Sequence, residues 1–301
     1  MTAKAIDPAV LAEQRLASDL TTLDFATVFQ TAAERTPAGG RPHVKLESCR
    51  MCGGSIGPVI DSTELFQGVT FVTAHAVERG TLELRQISSS RHRDDLDTVP
   101  PMDAITIFER LSKVERFLLS SGDSRFPETG EGRRGHVTIT KSRAGGGHGF
   151  QRLRLHAAEP PTVVRERARV ARHGAGLPAL LETRSPKELL VGEFRGGVAA
   201  AMPANPRRAF ETIVYLRPSG TGLLCDLTGN QRWGLAQAMR EITGALRLEL
   251  SVRGLPVRYS WRFVAGAGLE PYLRIVAPRD VTVHDGPAEW VGRLRAHIGV
   301  E

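Results

Sequence analysis

From residue 80 onward the hydrophobic positions follow two periods in turn. Leu82, Leu84 and Gln86 alternate with Glu83 and Arg85, the two-residue period of a half-buried strand over Thr81 to Ile87. A loop runs from Ser88 to Val99. Pro100 and Pro101 then open a helix in which Ile105, Phe108, Leu111, Val114 and the pair Phe117/Leu118 recur every three to four residues, and Gly122 closes it. Two strands follow, His136 to Ser142 and Phe150 to Ala158. Between them Arg143-Ala-Gly-Gly-Gly-His-Gly149 is too rich in glycine for helix or strand.

The second half repeats this order. A strand is expected over Phe210 to Leu216 and a helix over Gly229 to Leu248, with Trp233, Leu235, Met239, Ile242 and Leu246 on one side; strands over Tyr259 to Val264 and Tyr272 to Ala277 complete it. Positions 83 and 210, and positions 102 and 229, are both separated by 127 residues, and 151 and 272 by 121, a regularity that an internal duplication explains. A last helix begins at Pro287 and gathers Trp290, Val291, Leu294 and Ile298. Upstream, Asp7 and Pro8 start a peripheral helix over residues 7–20, and the Gly- and Pro-rich stretch from Thr36 to Pro42 is a linker. The expected organisation is a helical extension (1–35), a first unit (36–165) and a second unit (166–301). The fold class is α+β: mainly antiparallel sheet with flanking helices.

Composition narrows the function. With 301 residues, 41% of them hydrophobic, the chain can bury a full core. The net charge of +7 comes almost wholly from arginines scattered along the chain, with only five lysines, and cations that do not cluster are not a nucleic-acid footprint. Three cysteines do not make a disulfide framework, and no apolar run of signal-peptide type follows Met1, so the reducing cytoplasm is the expected compartment. No stretch approaches the roughly 18 apolar residues of a membrane span.

Two of the cysteines form Cys49-Arg-Met-Cys52, followed by Gly53 and Gly54, a knuckle spacing in which two thiolates of a tight turn grip one metal ion. His92 and His148 stand in loops of the same unit, and thiolates combined with imidazoles favour zinc. The other reading is two unrelated cysteines and two surface histidines.

The string Gly80-Thr-Leu-Glu-Leu84, then Ser89-Ser-Arg-His92, the long helix, and Val137-Thr-Ile-Thr-Lys-Ser-Arg-Ala-Gly-Gly-Gly-His148-Gly-Phe-Gln-Arg152 resembles the first half of galactose-1-phosphate uridylyltransferases. These belong to the histidine-triad superfamily and contain two such units. Ala209-Phe-Glu-Thr-Ile-Val-Tyr-Leu-Arg-Pro218, Tyr272-Leu-Arg-Ile-Val-Ala-Pro-Arg279 and Gly286-Pro-Ala-Glu-Trp-Val-Gly-Arg-Leu-Arg295 are similar to the second half, so the resemblance spans residues 36–298. It implies duplicated histidine-triad-like units. It also implies a structural zinc on Cys49, Cys52, His92 and His148, since many members hold zinc with the matching residues.

The resemblance fails where the family performs its chemistry. The middle histidine of the family's H-x-H-x-Q motif becomes covalently nucleotidylated, and the matching residue is Phe150, which has no lone pair to donate. The motif's glutamine matches Arg152, and paired histidines of the second unit match Pro271 and Leu273. Ordinary uridylyl transfer is therefore not expected. Phe150, Arg152, Arg154 and His156 share one parity on their strand, so one face presents a ring and two guanidiniums that suit a base and a phosphate, with Lys141 and Arg143 beside the glycine loop. His156 is the candidate for proton transfer or nucleophilic attack. The expected ligand is a nucleotide or phosphorylated small molecule, and a homodimer is compatible with this reading. Two alternatives stay open: an enzyme of the superfamily with a different chemistry, and a noncatalytic interaction scaffold whose arginines form a solvated strand face.

Overall fold

The computed structural model describes residues 59–77, 81–87, 96–120, 125–130, 132–143, 149–184, 186–218, 220, 222–278, 281 and 285–299. The helix expected over residues 7–20 and the linker at 36–42 lie outside them. The chain divides into two compact units, Met1–Glu159 and Pro160–Glu301.

In the first unit the strands are β1 (Val59–Leu65), β2 (Gly68–Val77), β3 (Thr81–Ile87), a short hairpin of β4 (Glu128–Gly130) and β5 (Arg133–Arg134), then β6 (His136–Arg143) and β7 (Gly149–His156), with helix α1 (Pro101–Leu119) between β3 and β4. β1, β2, β3, β7 and β6 lie side by side in that order, each antiparallel to its neighbours. α1 starts where Pro100 and Pro101 place it, but ends at Leu119, with the Ser120 amide donating to the Arg116 carbonyl, before Gly122 is reached. Its apolar stripe of Ile107, Phe108, Leu111, Val114 and Leu118 is buried. That stripe faces Leu84 and Leu153, and Gln86 Nε2 donates to the Ile107 carbonyl at 2.9 Å, so α1 covers one face of the sheet. Burying each such side chain contributes about 1.5–3 kcal/mol.

The second unit opens with α2 (Pro161–His173) and α3 (Leu177–Arg184), followed by β8 (Leu190–Phe194), β9 (Val198–Ala201), β10 (Thr212–Leu216), α4 (Gly229–Val252), β11 (Ser260–Val264), β12 (Tyr272–Val276) and α5 (Pro287–Ile298). Its strands run β8, β9, β10, β12, β11, again antiparallel. This is the order of the first unit, and the long helix again follows the third strand, so the duplication inferred from spacing is a duplication of topology. Leu177 and Leu181 of α3 pack on Ala199, Ala201, Ile213, Tyr215, Val264 and Tyr272, while α4 lies against the other face with α5 beside it.

Several boundaries differ from expectation. β10 begins at Thr212 and not at Phe210, because Phe210 has φ of 52°, outside the extended region. β7 ends two residues earlier than its alternation suggests, and α4 continues to Val252, where Gly254 at φ 65° follows. The pairs β1/β2 and β8/β9 and the helices α2 and α3 were not expected at all.

Candidate anion-binding site

The face of the first sheet turned away from α1 is set by strand register. β3 and β7 pair Glu83 with Arg154, Arg85 with Arg152 and Ile87 with Phe150; β6 continues these rows with Thr138, Thr140 and Ser142. Phe150, Arg152, Arg154 and His156 therefore share a face, as their parity requires. The same ladder pairs Lys141 with Gln151, which puts Lys141 on the α1 face, away from the two arginines. Arg143 pairs with Gly149 at the end of the ladder.

At the centre of the arginine face sits Glu83, its side chain fully buried. Arg85 Nε donates to Glu83 Oε1 at 2.5 Å and Arg154 Nε to Glu83 Oε2 at 2.6 Å. Arg152 Nε stands 3.3 Å from Oε2, close enough for an ion pair, but it is buried and makes no hydrogen bond. Burial alone raises the Glu83 pKa, yet the hydrogen bonds from Arg85 and Arg154 and the charge of Arg152 leave it below its ordinary value. Three guanidiniums thus share one carboxylate. The excess shows in Arg152, whose pKa is lowered by burial and by Arg154 and Arg85 against the opposing pull of Glu83.

Phe150 has a different part from the one its chemistry suggests. Its ring is only 4% exposed, and Arg85 and Arg152 lie over it with 5.5 and 5.8 Å from guanidinium carbon to ring centre. A ring so enclosed props the guanidiniums and has no free surface for a base. His156 is bonded to Thr138 Oγ1 at 2.9 Å, and burial, Arg154 and His136 lower its pKa, so it is neutral at neutral pH. Six residues of strand at about 3.3 Å each separate it from Phe150, roughly 20 Å. It therefore does not reach a group bound over that ring.

Sequence reasoning missed Glu83 and Arg85. Their alternation was visible, but nothing local signals that β3 pairs with β7 and brings them beside Arg152 and Arg154. Cys49, Cys52, His92 and His148 lie outside the described residues, among which no group of three or more His, Cys, Asp or Glu side chains could hold a metal. Among the described residues no helix is long and apolar enough to cross a membrane.

No protein-family model and no curated protein matches the sequence. Solved structures do match in fold. A uridylyltransferase aligns with a TM-score of 0.63 and 16% identity over 86% of this chain and 94% of its own. A GalT-like protein from Arabidopsis thaliana gives 0.65 and 12% over 83% and 92%. An ADP-glucose phosphorylase from Arabidopsis thaliana, with bound ADP-glucose, gives 0.63 and 14% over 88% and 93%. At such identities the likeness establishes the fold alone, the one these uridylyltransferase-like structures share.

Proposed function

We infer that this uridylyltransferase-like fold binds a nucleotide or another phosphorylated small molecule on the arginine face of its first unit, with Arg152 as the residue that grips the anion. The observation that carries the reading is the distribution of charge around Glu83. Arg85 and Arg154 are hydrogen-bonded to it, whereas Arg152 makes no such bond and keeps 30% of its side chain exposed. A phosphate offers that guanidinium the paired acceptors that its planar fork suits. The ADP-glucose held by one protein of this fold supports a nucleotide sugar as the first class to test.

Phe150 stands where the family's nucleophile matches, and it cannot attack phosphorus, so the ligand is held without a covalent nucleotide intermediate at that position. The zinc site is part of the same reading: Cys49, Cys52, His92 and His148 supply two thiolates and two imidazoles, a donor set suited to tetrahedral zinc in a structural role. Cytoplasmic residence is consistent with such thiols and with the free, buried Cys225.

The test is a thermal-shift screen of nucleotides, nucleotide sugars and sugar phosphates, followed by titration of the best ligand against wild type, Arg152→Ala and Arg154→Ala. A charge-assisted hydrogen bond in a partly desolvated site contributes about 1.5–3 kcal/mol, so Arg152→Ala is expected to weaken binding about ten- to hundredfold. Arg154→Ala is expected to weaken it less and to lower the melting temperature, since it strips a partner from Glu83. Equal affinity in all three proteins would mean that the arginines serve only Glu83, and the interaction scaffold would become the better reading.

A further inference from the structure

The geometry points to a second anion site, within the second unit between α2 and the β11–β12 ladder, for a small molecule that carries a phosphate or pyrophosphate group. A cavity of about 370 Å³ opens there, lined by six arginines and only two carboxylates. Its volume falls in the range of small-molecule sites. The inference is independent of the arginine face of the first unit.

One helix and two paired strands supply five of the six arginines. Arg165, Arg169 and Arg172 recur at the helical spacing on α2, so they line one face. Arg262 of β11 and Arg274 of β12 are direct partners across their ladder. Like charges placed directly opposite each other in a sheet repel and destabilise it.

The two carboxylates are already committed. Glu166, buried, pairs with Arg169, accepts the Tyr272 hydroxyl at 3.0 Å and accepts the Leu177 amide at 2.7 Å. Glu211, also buried, lies 2.8 Å from Arg274 Nε and accepts the Arg207 amide at 2.7 Å. Among the described residues no carboxylate pairs with Arg172 or Arg262. Partial burial and repulsion by Arg274, Arg165 and Arg208 lower the Arg262 pKa, the mark of a cation whose neighbours are cations. A bound phosphate group would offset that repulsion and bridge the strand arginines to the helix, and a guanidinium is the side chain best matched to its oxygens. The Tyr272 ring and the Val264 and Leu177 side chains give the rest of the ligand an apolar wall.

Calorimetric titration of the full chain with inorganic pyrophosphate tests the site. The expected result is saturable binding that Arg262→Gln weakens about tenfold or more. Arg262→Gln is also expected to melt no lower than wild type without ligand, because it relieves a repulsion and strands no carboxylate. Arg152→Ala, in the first unit, is expected to leave this binding in place; that comparison separates failure here from failure of the reading of the first unit. If Arg262→Gln does not unfold cooperatively, Arg172→Gln, on an exposed part of α2, decides instead. No uptake of pyrophosphate by wild type, or wild-type affinity in the deciding variant, overturns the proposal.

Discussion

Glu83 organises the arginine face of the first unit, and its environment predicts what its loss would do. A carboxylate with no exposed surface that accepts hydrogen bonds from two guanidiniums and lies near a third is stabilised only while all partners are present. Glu83→Gln keeps the volume and removes the charge. It is expected to cost about 2–4 kcal/mol in urea unfolding, because three partly buried cations then face one another. The sign of the pH effect follows from the lowered pKa. The stabilisation is present above the ordinary carboxylate value of 4.5 and is lost as pH falls through the lower folded value, so the variant's stability should fall less steeply in that acid range. At this scale the sequence was half legible. The parity of Phe150, Arg152 and Arg154 follows from strand geometry, whereas the burial of the Phe150 ring under two guanidiniums depends on Arg85, a residue of another strand.

Elements with a single apolar stripe announced themselves; of the strands covered on both faces, β10 was expected but β2 and β9 were not. α1 and α4 were legible because a single stripe is apolar. β2 places Phe71, Val72 and Ala74 in the interior, and all four residues of β9 are buried, so neither shows the alternation that marks a strand. α2 is hidden for another reason. Most of one face is arginine, and only Val163 and Glu166 are buried in it, so its stripe is polar. Packing between elements also fixes residues that propensity disfavours. Gly234 sits in the first turns of α4, where a Cβ would overlap the Arg195 carbonyl oxygen and stand 2.7 Å from Val198 Cγ2. Gly196 and Gly197, both at φ 72°, form the turn pressed against this helix, and Arg195 lies 3.9 Å over the Trp233 ring. In an open helix Gly→Ala would stabilise by about 1 kcal/mol. Here Gly234→Ala is expected to destabilise by about 1–3 kcal/mol, because backbone and not a flexible side chain must give way, and thermal denaturation reads the sign.

For the whole chain, the zinc reading predicts one tightly held ion per molecule. Elemental analysis of metal-replete protein should return a ratio near one, and Cys49→Ala/Cys52→Ala should bring it near zero with a lower melting temperature. A wild-type ratio near zero would remove the site. By itself the sequence determined that a strand, helix, strand, strand unit occurs twice, and that residue 150 is a phenylalanine, which has no lone pair to donate. Both are local facts: hydrophobic periods report backbone geometry over a few residues, and a side chain's chemistry needs no context. Only the tertiary structure decided which charges meet. Pairing β3 with β7 joins Glu83 to Arg154 across 71 residues of chain, and pairing β11 with β12 sets Arg262 opposite Arg274 beneath a helix nearly a hundred residues upstream. Such meetings depend on register, where a slip of one residue would turn every one of these side chains to the opposite face, and no local pattern records it.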